Sequence, residues 1–561
     1  MIQVPTRIQV VIVSALLLFL VANRGAYKGY FQDDDLDNLS WTWQISGVDF
    51  VQGLATPVFS RNNFRPVGHL FFHAVEPLAG LRFLPYVAGL QGLHLLNAAL
   101  LLWVARGFGF RVIPSAVAAV FFLFHPATFD AYWRPMYIFD VACATFCLAC
   151  IVAYTHRKWV LSFAFFWLAY KAKELAVMLP VVIALYEMWF GEKRWRRLIP
   201  FFAVSLCFGV QALIANRQTH DAYTIELTGS AIFATIRYYS SLILLHPLSL
   251  LLILPAAFLV RDRRLYFGLL GTLALLLPLL ALPNRQFSVY LYVPLLFLAL
   301  ALAAVLEKCP PGVAIVFLLC WIPATYLRLR HYRAATLETA QQNRVYVGTL
   351  EAFVKSSPGT TAFVYDGAPA ALNPWGISGA VRYLTRNPSS RVASLNSPEG
   401  KGMLRETSFA VLGWDSTRRR LDITRRDPSA PYKSYIDIQK DIPIWQFGEG
   451  WYERENAYRW TKPVAVATLL RPANAAQFEI SVNVSPIQLQ AAGSLSVEVM
   501  LDGNSIGAHQ FTKPGWQKIQ FRLLPSPEAL VAVELRSSPA FQPSDDSRSL
   551  GAAIGGFGFL P

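Results

Sequence analysis

The sequence predicts a membrane all-α domain of about eleven spans, followed by a soluble α/β segment and a jelly-roll-like β-sandwich. Hydrophobic residues make up 54% of the 561 residues and charged residues only 15%, whereas soluble domains carry about 25% charged residues. The apolar residues are concentrated before residue 330. We therefore place a transmembrane domain at 1–332, an α/β segment at 333–440 and a β-sandwich at 441–561.

The membrane domain is predicted from apolar runs that approach the length of a span, about 20 residues for a helix. The first run has no small-residue cleavage site after it, so we interpret it as an uncleaved span and not as a signal peptide. The runs lie at 8–22, 84–105, 112–125, 136–155, 159–170, 175–190, 198–215, 242–260, 265–282, 287–306 and 312–327.

Lys and Arg are concentrated in alternate short loops, which predicts the orientation of an integral membrane protein. The N-terminus is then cytoplasmic, and the loops 23–83, 126–135, 171–174, 216–231 and 283–286, together with the tail, lie outside. This placement also accounts for the net charge of +15, so no nucleic-acid partner is expected. The cytoplasmic loops carry Arg106 and Arg111, Arg157 and Lys158, Lys193 to Arg197, Arg261 to Arg264, and Lys308.

The first outer loop opens with four acids in five positions, Asp33, Asp34, Asp35 and Asp37. Their mutual repulsion raises at least one pKa unless a cation lies near, an arrangement that suits a general base or a metal site. The alternative is a solvated acidic turn that caps a helix starting near Leu36. All six cysteines lie in or beside apolar runs and the tail has none, so neither zinc nor disulfides are expected.

The same loop ends with Arg65, His69 and His73. Arg65 could clamp a phosphate or snorkel at the membrane interface. The two histidines share a helix face, which allows either a metal site or ordinary packing.

The later outer loops carry further charges among aromatic residues. Lys173 and Glu174 are adjacent and could form a buried ion pair. Because all these charges share one side of the membrane, they favour an enzyme acting on a lipid-linked substrate over a transporter, which needs charges near the midplane. The candidate residues of these loops are His125, Asp130, Arg134, Asp140, Lys173, Glu174, Arg217, His220, Asp221 and Arg285.

A series of short motifs in the first 300 residues resembles the GT-C-fold membrane glycosyltransferases, in particular the TPR-containing protein O-mannosyltransferases and their bacterial relatives. No single motif is specific, but their order is. The series contains Asp34-Asp35, Arg65-Pro66-Val67, His94-Leu-Leu-Asn97, His125-Pro126 with Asp130 and Asp140, Lys173-Glu174, and Arg285 before Tyr290-Leu-Tyr-Val-Pro294.

The chain departs from that family in three ways. Asp130 replaces the usual Glu, Arg134 to Tyr137 replace a glycine-rich stretch, and no TPR array follows the membrane domain. The last departure leaves the nature of the acceptor open among lipid, glycan and protein.

The resemblance implies an inverting transfer of a hexose from a polyprenyl-phosphate-linked donor, at the outer face of a bacterial cell membrane. Asp34 is then the base and Asp35 supports it, while Arg134, Lys173 and Arg285 hold the phosphate in the same cavity as Asp34. Asp130 and Asp140 orient the acceptor or these cations. Arg65, His125 and Glu174 complete the expected substrate-binding set, and a divalent cation is left open as cofactor.

Two other function classes compete with this interpretation. A lipid-linked saccharide transporter or flippase is disfavoured by the one-sided distribution of charges. A non-catalytic sugar-binding membrane scaffold is disfavoured by the intact Asp34-Asp35 series.

The tail alternates strand-like and helix-like pieces before residue 440 and is rich in strands after it. Asp502-Gly503 is a hairpin signal, and the alternating strands favour an antiparallel sandwich. Trp451, Trp460 and Trp516 either stack on sugar rings or belong to the core. Asp545, Asp546 and Arg548 form either a calcium corner or a turn with an internal salt bridge.

Overall fold

The computed structural model describes residues 6–58, 64–215, 224–243, 253–404, 406, 408–426, 432–440, 444–455, 457–543, 546 and 548–561. The chain divides into two compact units, Met1–Ala340 and Gln341–Pro561. The predicted residues Arg217, His220, Asp221 and Asp545 lie outside the described residues.

The first unit is built from α-helices. Among the described residues, five helical segments are long and apolar enough to cross a membrane: Phe83–Gly107, Pro135–Thr155, Arg263–Leu280, Ser288–Glu307 and Pro311–Ser356. The helices are α1 (Thr6–Asn23), α2 (Asp34–Trp41), α3 (Gly47–Ala55), α4 (Pro66–Ala79), α5 (Phe83–Gly107), α6 (Val112–Leu123), α7 (Ile138–Thr155), α8 (Trp159–Ala172), α9 (Leu179–Trp189), α10 (Ile199–Ala215), α11 (Gly229–Ile243), α12 (Ile253–Val260), α13 (Arg263–Leu280), α14 (Tyr292–Glu307) and α15 (Pro311–Ser356).

These helices support an integral membrane protein, but the predicted count of eleven spans is not confirmed. Two further apolar helices, Val112–Leu123 and Trp159–Ala172, are shorter than a full span. The single run predicted at 242–260 corresponds, in its described part, to the end of α11 and to the separate helix α12. Apolarity alone predicted the helices well and their lengths poorly, because a buried helix of a large domain is as apolar as a membrane span.

Small residues let the helices around α7 approach closely. A Cβ on Gly68 would lie 2.0 Å from Cδ1 of Phe139, so α4 packs directly on the start of α7. On another side of the unit, a Cβ on Gly268 would lie 2.6 Å from the backbone nitrogen of Ala301. Such close contacts fix these helices against one another.

The described residues of the loop predicted at 23–83 include the α-helices α2, α3 and α4. Helix α2 starts at Asp34, two residues before the predicted start at Leu36. Helix α3 has a reciprocal capping box, in which the Ser46 hydroxyl accepts from the Asp49 backbone N–H and the Asp49 carboxylate accepts from the Ser46 N–H. The acidic segment therefore lies at the first turn of a short helix.

The second unit begins with the predicted α/β segment. Its sheet has the order β2-β1-β3-β4, with β1 parallel to both β2 and β3 and β4 antiparallel to β3. The elements are β1 (Ala362–Asp366), α16 (Pro374–Thr385), β2 (Arg391–Ser394), α17 (Pro398–Met403), β3 (Phe409–Asp415) and β4 (Arg420–Arg426).

The remaining strands form two antiparallel sheets, with the orders β11-β10-β13-β8 and β12-β9-β14-β7-β6, and β5 pairs with β14. The predicted hairpin at Asp502-Gly503 joins β10 to β11. These elements are β5 (Tyr435–Asp437), β6 (Trp451–Glu455), β7 (Tyr458–Thr461), β8 (Val464–Arg471), β9 (Gln477–Val484), α18 (Pro486–Ala492), β10 (Leu495–Leu501), β11 (Asn504–Phe511), β12 (Gly515–Arg522), β13 (Ala529–Ser538) and β14 (Ala553–Leu560).

The three tryptophans predicted as sugar platforms have different surroundings. Trp451 and Trp460 are buried and belong to the core, so the prediction that a sugar stacks on these two rings is wrong. Trp516, in contrast, is 50% exposed. At the end of the chain, the Arg548 Nη2 lies 2.7 Å from the Asp546 Oδ2, in agreement with the internal salt bridge.

Candidate active site

The first acidic residue, Asp33, marks a sharp change of chain direction before α2. Its φ of 42° lies in the left-handed region that non-glycine residues rarely adopt. The Asp33 Oδ2 lies 3.6 Å from the Arg134 Nη1. The backbone thus accepts a costly conformation at the position where the first outer loop meets the second.

Asp35 is fully buried and bound by two backbone groups. Its Oδ2 accepts from the Gln32 N–H at 2.8 Å and its Oδ1 accepts from the Met136 N–H at 2.5 Å. Burial raises the pKa of Asp35 to about 7, against the opposing effect of these two hydrogen bonds. Asp35 therefore ties the first outer loop to the turn that precedes α7.

Asp34 differs from its neighbour because its side chain is only partly buried. It occupies the first position of α2, and its backbone carbonyl accepts from the Asn38 Nδ2 at 2.8 Å. The residues before and after Asp34 are both bonded to the segment that precedes α7. Asp33 contacts Arg134, and Asp35 accepts from the Met136 N–H.

Arg134 is the cation of this region. Its Nε lies 3.4 Å from the Asp130 Oδ1, and its Nη1 contacts Asp33 as described above. We call Asp33, Asp34, Asp35, Asp130 and Arg134 the acidic cluster: the carboxyl groups of Asp33, Asp35 and Asp130 lie near the Arg134 guanidinium, and Asp34 lies between two of them in the chain.

A second cluster lies on another side of the start of α7. The Lys173 Nζ contacts the Asp140 Oδ2 at 3.1 Å, and the Arg65 Nε donates to the Glu174 Oε1 at 2.7 Å. We call these four residues the paired cluster. The predicted Lys173–Glu174 ion pair is not the one that forms: the two residues are adjacent in sequence but pair with different partners.

The pairing favours the charged forms of Glu174 and Lys173 despite burial. Burial alone would raise the pKa of the Glu174 carboxyl, but Arg65 and Lys173 outweigh it and leave this pKa below its ordinary value. For Lys173, burial acts to lower the pKa, and Asp140 outweighs it so that the pKa is raised. Two cations and two anions therefore neutralise one another.

Arg285 reaches the paired cluster through Tyr290. The Arg285 Nε donates to the Tyr290 hydroxyl at 2.8 Å, and the Lys173 Nζ lies 5.4 Å from the centre of the Tyr290 ring. The short turn Ser288–Leu291 also packs against the turns Pro126–Thr128 and Asp130–Tyr132. Arg285 therefore lies near the loop of Lys173 and near the loop of Asp130 and Arg134.

The predicted histidines are held within the protein. His125 is fully buried; its Nδ1 accepts from the Ala127 N–H and its Nε2 lies 2.9 Å from the Ile243 carbonyl. His69 Nδ1 lies 3.0 Å from the Arg65 carbonyl and His73 Nδ1 lies 2.9 Å from the Thr42 carbonyl. In this geometry His125 fixes the second outer loop. Within the described part of the chain, no group of three His, Cys, Asp or Glu side chains is placed to hold a metal ion.

Sequence reasoning missed three contributors. Asp33 was noted only as part of the acidic run, Tyr290 only as part of a motif, and the Met136 N–H not at all. No pattern in the sequence marks a backbone N–H as a ligand for a distant carboxylate. Tyr290 could have been found from its position five residues after Arg285 at the start of an apolar run.

Two motifs that the sequence analysis listed separately meet inside the membrane unit. The His94 Nδ1 lies 2.6 Å from the Tyr292 hydroxyl, and the Asn97 Nδ2 donates to the same hydroxyl at 3.2 Å. The Asn97 Nδ2 also donates to the Val141 carbonyl at 3.0 Å. This buried network fixes α5 and α14 against α7 just beyond Asp140.

No family model matches the chain, and no curated protein matches it. The chain is similar to the crystal structure of ArnT from Cupriavidus metallidurans bound to undecaprenyl phosphate, with 12% identity, a TM-score of 0.49, and coverage of 76% of this chain and 100% of that one. It is also similar to the cryo-EM structure of the arabinofuranosyltransferase AftD from Mycobacteria, with 13% identity, a TM-score of 0.45, and coverage of 100% of this chain and 58% of that one. Both similarities are weak, so the function rests on the residues of this chain.

Proposed function

We propose that this protein is a membrane glycosyltransferase that moves a sugar from a polyprenyl-phosphate-linked donor to an acceptor at the outer face of the membrane. One observation carries the proposal. The bond from the Met136 N–H to the buried Asp35 joins the acidic first loop to the loop that bears Arg134, and it leaves the partly exposed Asp34 at that junction.

In the proposed reaction, the Asp34 carboxylate takes the proton of an acceptor hydroxyl. The acceptor oxygen then forms a bond to the anomeric carbon of the donor, while the bond from that carbon to the phosphate oxygen breaks. Attack from the face opposite the phosphate inverts the configuration. The leaving polyprenyl phosphate keeps the electron pair and becomes more negative, so it needs cations beside it.

Arg134, Lys173 and Arg285 are the cations proposed to stabilise that phosphate. Lys173 has three donors, and Asp140 accepts from one of them. Arg285 offers a planar fork that can bind two phosphate oxygens at once. The N-terminus of α7 lies between the two clusters and adds backbone N–H groups and a positive dipole end.

The remaining charged residues are proposed to position these groups. Asp130 orients Arg134, Asp140 orients Lys173, and Arg65 with Glu174 completes the paired cluster. His125 contributes by fixing the second outer loop, since its ring is enclosed and both its nitrogens have backbone partners.

The activity can be tested with the purified chain in nanodiscs and a set of polyprenyl phosphate donors that carry radiolabelled mannose, glucose, galactose or arabinose. The label should move from one donor into a lipid, glycan or protein fraction of bacterial membranes, and an Asp34→Asn chain should not move it. If no donor is consumed, the proposal is wrong. If intact donor instead crosses the bilayer of a proteoliposome, the protein is a flippase.

The outer location of the site is tested separately by cysteine labelling. After replacement of the six native cysteines, a cysteine at Lys193 should resist an impermeant thiol reagent in whole cells, and one at Lys513 should react. The reverse result would place the site on the cytoplasmic side, since the basic loops would then lie outside.

A further inference from the structure

The outer face of the six-stranded sheet carries a groove along β14. Two successive rows of paired residues cross this face. One row runs Lys518, Ser481, Gly556 and Asp437, and the next runs Gln520, Glu479, Gly558 and Tyr435. Directly paired residues of neighbouring strands point to the same face. Each row therefore has side chains on β12, β9 and β5 and none on β14.

Trp516 forms one wall of this groove. Its ring lies against the backbone of β14: a Cβ on Gly555 would come within 2.3 Å of the Trp516 Cζ3. The ring is 50% exposed, whereas Trp451 and Trp460 are buried in the same sandwich. A large aromatic surface is thus held next to an open floor, where it costs hydrophobic free energy unless a ligand covers it.

The rest of the groove is lined by polar groups, and hydrogen bonds hold these groups in place. The Glu479 carboxylate accepts from the Tyr435 hydroxyl at 3.1 Å, from the Lys518 Nζ at 3.1 Å and from the Gln520 Nε2 at 2.9 Å. The Gln439 backbone N–H donates to the Asp437 Oδ1 at 3.0 Å, and the Gln439 side chain is exposed at the rim. The groove has a volume of about 490 Å³, within the usual range of ligand sites.

We propose that this groove binds a neutral glycan chain, with a sugar ring stacked on Trp516. A pyranose ring presents an apolar C–H face to an aromatic ring and a rim of hydroxyls, each of which both donates and accepts. The groove offers both: the exposed indole of Trp516, and a mixture of carboxylate, amide, hydroxyl and ammonium groups around it. An acidic ligand fits less well, because the groove holds one ammonium and no guanidinium among its lining groups. The proposal goes beyond the transferase activity and does not depend on it.

Binding can be measured by calorimetry on the full chain in nanodiscs, without glycoside detergents that would compete for the site. The probes are soluble hexasaccharides of glucose, mannose, galactose and N-acetylglucosamine. At least one should bind, and Trp516→Ala should weaken that binding by about tenfold or more. Trp516→Phe should retain part of the affinity, and Gln439→Ala should lower it several-fold.

Trp375→Ala is the matched control, because Trp375 is 66% exposed on α16 and lies outside the groove. It should bind each hexasaccharide as the unchanged chain does. The proposal is wrong if none of the four probes binds, or if Trp516→Ala and Gln439→Ala bind as well as Trp375→Ala. It is also wrong if Trp516→Ala instead abolishes a concentration-dependent self-association, since the groove would then be a protein contact.

Discussion

The acidic cluster is bonded to the turn before α7 and the paired cluster to the first turn of α7, and they differ in charge balance. Three carboxyl groups, those of Asp33, Asp35 and Asp130, lie near Arg134, with contacts of 3.4 and 3.6 Å to Asp130 and Asp33. The paired cluster has two cations and two anions, joined by contacts of 2.7 and 3.1 Å. The acidic cluster therefore has an excess of carboxyl groups, whereas the paired cluster has equal numbers of acidic and basic side chains.

This difference in charge fits two different roles: proton transfer for the acidic cluster, and the holding of a cation for the paired cluster. A general base must reach the proton of the acceptor hydroxyl. Asp34 is partly exposed whereas Asp35 is fully buried, so we propose Asp34 of the acidic cluster as the base. The paired cluster can hold Lys173 in one place at low net charge, which suits a group that must meet a phosphate.

The largest expected effect comes from the proposed base. Asp34→Asn keeps the shape of the side chain and removes its ability to accept a proton, so the transfer rate should fall by about 100-fold or more. Binding of the polyprenyl phosphate donor should change little. The matched control is Asp37→Asn, one turn later in α2, which should keep nearly the full rate. Equal losses in both variants would contradict the distinction between the acids.

Breaking the paired cluster should affect stability more than chemistry. Asp140 is 2% exposed and Lys173 is 18% exposed in their side chains, so Asp140→Asn leaves a largely buried ammonium without its carboxylate. The free energy of unfolding should fall by about 3 kcal/mol, the lower end of the range for broken buried pairs. Thermal unfolding in nanodiscs measures this as a lower Tm.

A double variant sharpens this test. Asp140→Asn combined with Lys173→Met removes both charges and should recover much of the Tm, while transfer should fall because the Lys173 ammonium is lost. The control Glu351→Gln removes an exposed pair with Lys355 and should leave the Tm nearly unchanged. A Tm for Asp140→Asn equal to that control would show that the pair contributes nothing.

Arg285 should have a smaller effect, and one confined to rate. Loss of a charge-assisted contact costs about 1.5–3 kcal/mol, so Arg285→Ala should slow transfer by roughly 10- to 100-fold. Arg285→Lys should recover only part of the rate, because a point charge does not replace a planar fork. Arg82→Ala is the control, since the Arg82 side chain bonds to carbonyls of its own turn. Full activity in Arg285→Lys would indicate a simple interfacial anchor.

The smallest expected effect concerns Asp35 and pH. Its pKa is about 7 in the folded protein and about 3.9 in an unfolded chain, so the folded state binds the proton more tightly. Stability from this group is therefore greatest at low pH, falls as the pH rises from about 4 to about 7, and then levels off. Asp35→Asn should remove this part of the decrease in stability with rising pH. A Tm that falls equally with pH in both proteins would contradict the buried position of Asp35.

The sequence predicted the strands of the second unit well because hydrophobic alternation has a local cause. The segments 409–415, 495–501 and 478–484 are strands as predicted. The number of spans was not predictable in the same way, since apolar composition does not distinguish a membrane span from a buried helix such as α6. The fate of Trp451 and Trp460 also needed the structure, because burial depends on which strands pair.

For the site, the sequence identified the charged residues but not their partners. Lys173 and Glu174 are neighbours in the chain, yet tertiary packing directs one to Asp140 and the other to Arg65. Asp35 differs from Asp34 because it is fully buried and accepts backbone hydrogen bonds from Gln32 and from the distant Met136. Side-chain identity gives the chemistry that is available, and only the fold decides which groups meet.

The central claim is that Asp34 and the outer cations serve one polyprenyl phosphate. A cryo-EM structure of the full chain with bound polyprenyl phosphate tests it most directly. The phosphate should lie at the N-terminal end of α7, within about 3 Å of donors from Arg285 and from Lys173 or Arg134, with the Asp34 carboxylate facing the same cavity. A phosphate bound at the other membrane face, or a cavity that Asp34 does not line, would contradict the claim.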